Sequence, residues 1–163
     1  MRSFLAIAAA AMAAMVLQAG LFSSVSWLPV VPDVLLVLVV YLGIHHPGVA
    51  GVVGAFLLGY FLDTFSGTVL GLNAFAFTIV YAVVSLIARN LWLRAGAPVM
   101  VVVFVGACVR ELAMVLLTPL VAESAPLWHH IVRYGLLEAA AAVLMAPAVF
   151  ACVNRERQLL GLE

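Results

Sequence analysis

The chain contains no lysine, and Asp, Glu, Lys and Arg together make up only 9% of its 163 residues, where about 25% is usual for a soluble domain. Its 7 arginines offset 7 carboxylates, so the formal net charge is zero. Without a basic surface to neutralise a row of phosphates, nucleic-acid binding is excluded as a function class. Polar bulk is missing too: 67% of the residues are hydrophobic, against roughly 45–50% in an average soluble domain, and mean hydropathy is +1.29. A soluble fold of this composition would expose apolar side chains over most of its surface. A disordered chain needs the opposite balance of low hydrophobicity and high charge. The sequence is that of an integral membrane protein.

Cysteine is scarce. Cys108 and Cys152 both lie in apolar runs and read as small core residues, not as a disulfide framework or a metal site. Catalytic signatures are also absent: the chain has no H-E-x-x-H, G-x-S-x-G, P-loop or G-x-G-x-x-G pattern. Ser66 beside Gly67 has the flavour of an intramembrane serine nucleophile, but no histidine lies deep within a span to serve as its base. The histidines fall in two adjacent pairs, His45–His46 and His129–His130, on opposite faces of the membrane in the topology below, which excludes a four-histidine metal site. The reading is of a non-enzymatic protein with no cofactor and no metal.

What the chain does have is long apolar runs. A helix needs about 20 apolar residues to cross roughly 30 Å of hydrocarbon. Six spans meet or approach that length: 4–22, 27–44, 49–62, 71–88, 98–121 and 127–152. The loops between them are short, and no linker or composition shift divides the chain. The expected fold is therefore all-α, a single domain built as a six-helix transmembrane bundle with consecutive helices antiparallel. The third span is short and relies on local thinning or neighbouring protein. With the N-terminus inside, Arg2, Arg89, Arg94, Arg155 and Arg157 all fall on the cytoplasmic side, in keeping with the positive-inside bias. The outer loops then carry Asp33, Asp63 and Glu123. Both termini are expected in the cytoplasm. Arg2, the apolar run after it and the small residues near Gln18–Ala19–Gly20 also resemble a secretory signal, but the run is longer than a typical signal core, which favours a retained helix.

Polar residues at membrane depth are costly and mark candidate functional sites. Arg110 stands about 18 Å along the fifth span, and Glu138 about 15 Å along the sixth from the opposite face, at 1.5 Å per residue. The two are expected to meet as an ion pair on adjacent helices, with Glu111 about 100° around from Arg110. The pair either pins two helices in register or forms a charged cavity or docking site. Arg133 lies near the outer interface, with Asp33 and Asp63 available on the same side. Gly51, Ala55 and Gly59 recur at every fourth position on one face of the third span, a small-residue stripe that admits a close helix neighbour, either within the bundle or in a partner. Asp63, Ser66, Gly67 and Gly71 read as a polar, glycine-punctuated outer turn.

One segment carries a resemblance. From Pro32 the chain reads P-D-V-L-L-V-L-V-V-Y-L, and from Gly54 it reads G-A-F-L-L-G-Y-F-L-D-T-F-S-G-T-V-L-G-L-N-A-F. This resembles the MreD family of bacterial rod-shape-determining membrane proteins at Pro32, Asp33, Gly54, Phe56, Gly59, Asp63, Ser66, Gly67 and Gly71. The motif covers about a third of the chain. Arg110, Glu111 and Glu138 match nothing in it. The resemblance implies a non-enzymatic, multi-pass subunit of the cell-elongation machinery in the bacterial cytoplasmic membrane, helping to position lateral peptidoglycan synthesis.

The partners it implies are MreC, whose single transmembrane helix lies beside a periplasmic coiled coil, then MreB filaments, RodA and a class B penicillin-binding protein, with membrane lipid around them. It also implies a fold like that of the substrate-binding subunits of energy-coupling-factor vitamin transporters. The alternative function is accordingly a small-molecule-binding subunit of a vitamin-type transporter. The expected mode of action is helix-face recognition, either through the Gly51/Ala55/Gly59 stripe or through an outer rim at Asp33 and Asp63. On the stripe version, Gly59→Leu abolishes association and leaves the monomer folded.

Overall fold

A computed structural model describes residues 33–66, 70–90, 97–121 and 127–159. These form five α-helices: α1 (Val34–His45), α2 (Val49–Ser66), α3 (Leu72–Asn90), α4 (Ala97–Val121) and α5 (Leu127–Leu159). The described chain is all-helical. Three helices contain segments long and apolar enough to cross a membrane, at Leu72–Arg89, Pro98–Leu117 and Leu137–Arg155. The expected first span, 4–22, and the start of the second, 27–32, lie outside the described residues.

The helix boundaries follow from local chemistry. Asp33 is the N-cap of α1: its carboxylate Oδ1 accepts from the Leu36 amide at 3.0 Å, satisfying one of the amides that a first turn leaves unbonded. The described helix therefore begins at residue 34, inside what hydropathy alone reads as one run from 27. At its other end, Pro47 forces the preceding His46 out of helical geometry, and His46 has φ −129° and ψ 64°. Gly48, at φ +132°, then turns the chain, and its carbonyl accepts from the Gly51 and Val52 amides to open α2.

Two other boundaries differ from expectation. Helix α2 does not stop at residue 62 but runs on to Ser66, so Asp63 stands in a helical turn and not in a surface loop. Helix α5 runs through the charged segment to Leu159, about 50 Å in all at 1.5 Å per residue. Residues 153–159, beyond the expected last span 127–152, thus form its last two turns. Pro147 sits within α5, where it donates no amide to the helical ladder.

Helix α1 occupies the centre. It packs against α2, α3, α4 and α5, and every residue from Leu35 to Gly43 is buried. A helix hydrophobic on all sides belongs inside the protein, which is why α1 shows no apolar stripe. At 12 residues it is about 18 Å long. The outer helices instead bury one face and present large apolar side chains outward, among them Phe56, Tyr60, Leu86, Leu112 and Leu144, as a lipid-facing surface requires. Cys108 and Cys152 are on such outward faces, free and exposed. That corrects the expectation that they fill the core.

Candidate functional site

Asp63 anchors the first of two polar centres. Its residue is 1% exposed, and its carboxylate gathers the start of α3. Oδ2 accepts from the Gly71 amide at 2.9 Å and the Ala74 amide at 3.2 Å. Oδ1 accepts from the Asn73 amide at 3.1 Å and from Asn73 Nδ2 at 2.8 Å. A helix N-terminus offers unbonded amides and the positive end of the dipole, and the carboxylate meets both needs from the neighbouring helix. Gly71 has φ +96°, a left-handed conformation that glycine adopts without steric cost. The outer turn expected here is therefore an internal clasp, and Asn73 is the member that sequence reasoning missed. Its signal was position alone: an amide side chain in the first turn of α3, ten residues after the aspartate. Ser66 is the last residue of α2, while Gly67 and Pro32 lie outside the described residues.

The small-residue stripe serves the same corner. A Cβ added at Gly59 would stand 2.5 Å from the Ala74 Cα and 2.5 Å from the Asn73 carbonyl oxygen, so α3 already fills that face. A Cβ at Gly51 would collide with the His46 carbonyl oxygen and the Tyr81 hydroxyl. Ala55 is fully buried. The stripe thus makes α2·α3 contact, and the version in which a partner helix occupies it is set aside. At the far end, the Tyr81 hydroxyl donates to the His46 carbonyl at 2.9 Å, with the Gly48 carbonyl at 3.1 Å, and accepts from the Gly48 amide at 3.0 Å. It thereby fixes the α1–α2 turn.

The second centre surrounds Arg110. Its Nε stands 3.2 Å from Asp33 Oδ2, its Nη1 is 3.1 Å from Glu111 Oε1, and the same Nη1 is 4.0 Å from Glu138 Oε2. The expected Arg110–Glu138 pair is thus the widest of three contacts. Asp33, expected on an outer rim with Arg133 as a candidate partner, instead joins the cluster from the N-terminus of α1. The side chain of Arg133 lies outside the described residues. Counting 1.5 Å per residue puts Arg110 about 20 Å from the start of α4 and Asp33 about 18 Å from the His45 end of α1. Arg110 thus stands within the apolar segment Pro98–Leu117, and its contact with Asp33 puts the start of α1 at the same level.

The Arg110 guanidinium also lies 5.8 Å from the centroid of the Phe77 ring, within cation–π range. Phe77 is one turn along α3 from Asn73, so the two centres share the first turns of that helix. Gly135 on α5 leaves room for Glu111: an added Cβ would stand 3.1 Å from Glu111 Oε2. Among the described residues, no group of three or more His, Cys, Asp or Glu is placed to hold a metal ion.

Compared with known protein families, residues 1–155 match the family of rod shape-determining protein MreD. The chain belongs to the MreD family. It is accordingly a rod-shape-determining membrane protein, and the MreD family is one of structural, shape-determining proteins and not one known for enzymes. The Asp63 clasp and the Gly59 contact give a physical reason for the MreD-like motif read in the sequence: the aspartate and glycines join α2 to the start of α3. Neither the search of curated proteins nor that of solved structures gave a match.

Proposed function

We propose that this protein is a non-enzymatic subunit of the cell-elongation machinery, spanning the bacterial cytoplasmic membrane six times with both termini inside. It binds an MreC-like single-span protein and helps to position or regulate lateral peptidoglycan synthesis. MreB filaments, RodA and a class B penicillin-binding protein belong to the wider complex. The observation that carries this reading is the family match over residues 1–155. The geometry is compatible with this reading: among the described residues, Asp33, Asp63 and Arg110 are engaged in helix capping and ion pairing.

The test is affinity purification of the tagged protein from gently solubilised native membranes, followed by mass spectrometry. Co-purification of the MreC-like protein, with or without RodA and a penicillin-binding protein, is the expected result. Recovery of an ATPase pair with a membrane coupling subunit would overturn the reading in favour of solute uptake.

A further inference from the structure

We propose that the first apolar run, residues 4–22, docks as a helix against α1 in the gap between α2 and α5, closing the bundle around its central helix. This rests on the six-span reading above and says which surface receives the first span.

Neighbour order and burial together require an occupant there. Helices α2, α3, α4 and α5 meet in that order, and each also meets α1, but among the described residues no comparable contact joins α5 back to α2. The four form an open arc. Helices packed roughly 8–10 Å apart fit about six around a central one, so four in a row leave one side of α1 uncovered by them. Yet α1 has no uncovered side. Leu35 to Gly43 are all buried, and successive residues at about 100° each carry that stretch through every direction about the axis. Leu35, Val37, Val39, Val40 and Tyr41 expose nothing at all.

Connectivity leaves one segment able to cover the open side. Residues 67–69, 91–96 and 122–126 link α2 to α3, α3 to α4 and α4 to α5, all within the arc. Residues 160–163 are too few to line a helix about 18 Å long. Residues 4–22 as a helix measure about 28 Å, and the link 23–32 stretches over about 33 Å, enough to lead from that helix to the Asp33 cap. Side-chain size fits too. The buried stretch of α1 is built of Leu, Val and Tyr, while alanine stands at 6, 8–11 and 13–14, and small residues let one helix approach another closely in the membrane. A partner's helix would have to displace a segment held beside α1 by a short tether, where its effective concentration is high. Partners are therefore left the outward faces of α2 to α5.

The flanks of the gap follow from helix rotation. On α2, Gly59 faces α3; Leu58, in the core, is about 100° round from it, and Phe61 about 60° further the same way. On α5, Gly135 faces α4, Phe150 packs against Tyr41 of α1, and Val143 lies about 20° beyond Phe150, away from α4.

The test is cysteine cross-linking in the full-length protein carrying Cys108→Ala and Cys152→Ala. One cysteine is placed in the turn 14–17 and a second at Phe61 or Val143. Controls carry the second at Phe75 of α3 or Leu112 of α4, which face outward. A short bis-maleimide is added in native membranes, and internally linked monomer is read by gel mobility. Both flank positions are expected to give about tenfold more linked monomer than either control, since effective concentration falls steeply with separation. Unfolding temperatures establish that each variant is folded; if Phe61→Cys melts low, Leu57→Cys, one turn away and exposed, replaces it. Loss of the link at either flank, or equal yields at the controls, overturns the placement. Intact mass separates this inference from the reading beneath it. A purified chain that lacks residues 1–22 overturns the six-span topology as well. An intact chain that links to the controls overturns the placement alone and leaves the proposed function standing.

Discussion

Two aspartates, Asp33 and Asp63, each hold the beginning of a helix within this bundle, and they do it in opposite ways. Asp63 reaches from α2 to α3, accepts four hydrogen bonds with its two oxygens, and is sealed from its surroundings. Asp33 caps its own helix with one bond and gives its second oxygen to an arginine contacted by two further carboxylates. The first arrangement leaves neither carboxylate oxygen without a donor. The second is crowded with charge of one sign and extends to a half-exposed glutamate on α5. A satisfied, sealed polar group contributes to the fold. A shared one ties α1, α4 and α5 together through a single cation.

Substitutions can break or sharpen this contrast. Asp63→Ala should have the largest effect. It leaves the buried amides of Asn73 and Ala74, among others, without acceptors, and unsatisfied buried donors cost about 1–3 kcal/mol each. A loss of about 4 kcal/mol is expected, seen as a collapse of the unfolding temperature in detergent or as failure to accumulate in the membrane. Gly59→Ala should follow at about 3 kcal/mol, the upper end for overpacking, because the added carbon meets backbone atoms that have no rotamer to yield. The same measurement decides Gly59→Leu: the structure predicts a destabilised monomer, in place of the folded, partner-blind monomer expected from the stripe alone.

Arg110→Met should cost about 2 kcal/mol by leaving three carboxyl groups without their shared cation, less than a fully buried pair would lose because the site reaches the surface. Tyr81→Phe removes only the hydroxyl that fixes the α1–α2 turn and should cost about 1 kcal/mol, read from the same thermal melts.

Much of this was legible from composition and spacing. Hydropathy places α3 and α4 within two residues of where they stand, since nothing interrupts those runs. It fails at α1 because a hydropathy average passes straight over Pro32–Asp33, whereas the backbone registers a cap there and begins a helix. It misplaces Asp63 for the converse reason: a charged residue followed by Ser66 and Gly67 has the composition of a loop, and only the amides waiting on α3 make it a helical residue with its charge satisfied. Depth arithmetic puts Arg110 and Glu138 at similar levels, and their nearest charged atoms are 4.0 Å apart. Depth does not fix the level of the neighbouring cap, so the closer contact to Asp33 was not expected. Tyr81 gave no signal at all, because its partners are backbone atoms of a turn 33 and 35 residues earlier.

The central claim is that the Asp63 corner makes the fold by joining α2 to the start of α3. Its most direct test is a paired measurement of unfolding temperature on Asp63→Ala and on Glu138→Gln, whose side chain is 40% exposed. The account predicts that Asp63→Ala loses its folded state, while Glu138→Gln melts within a few degrees of the wild type. An Asp63→Ala protein as stable as the wild type would contradict it.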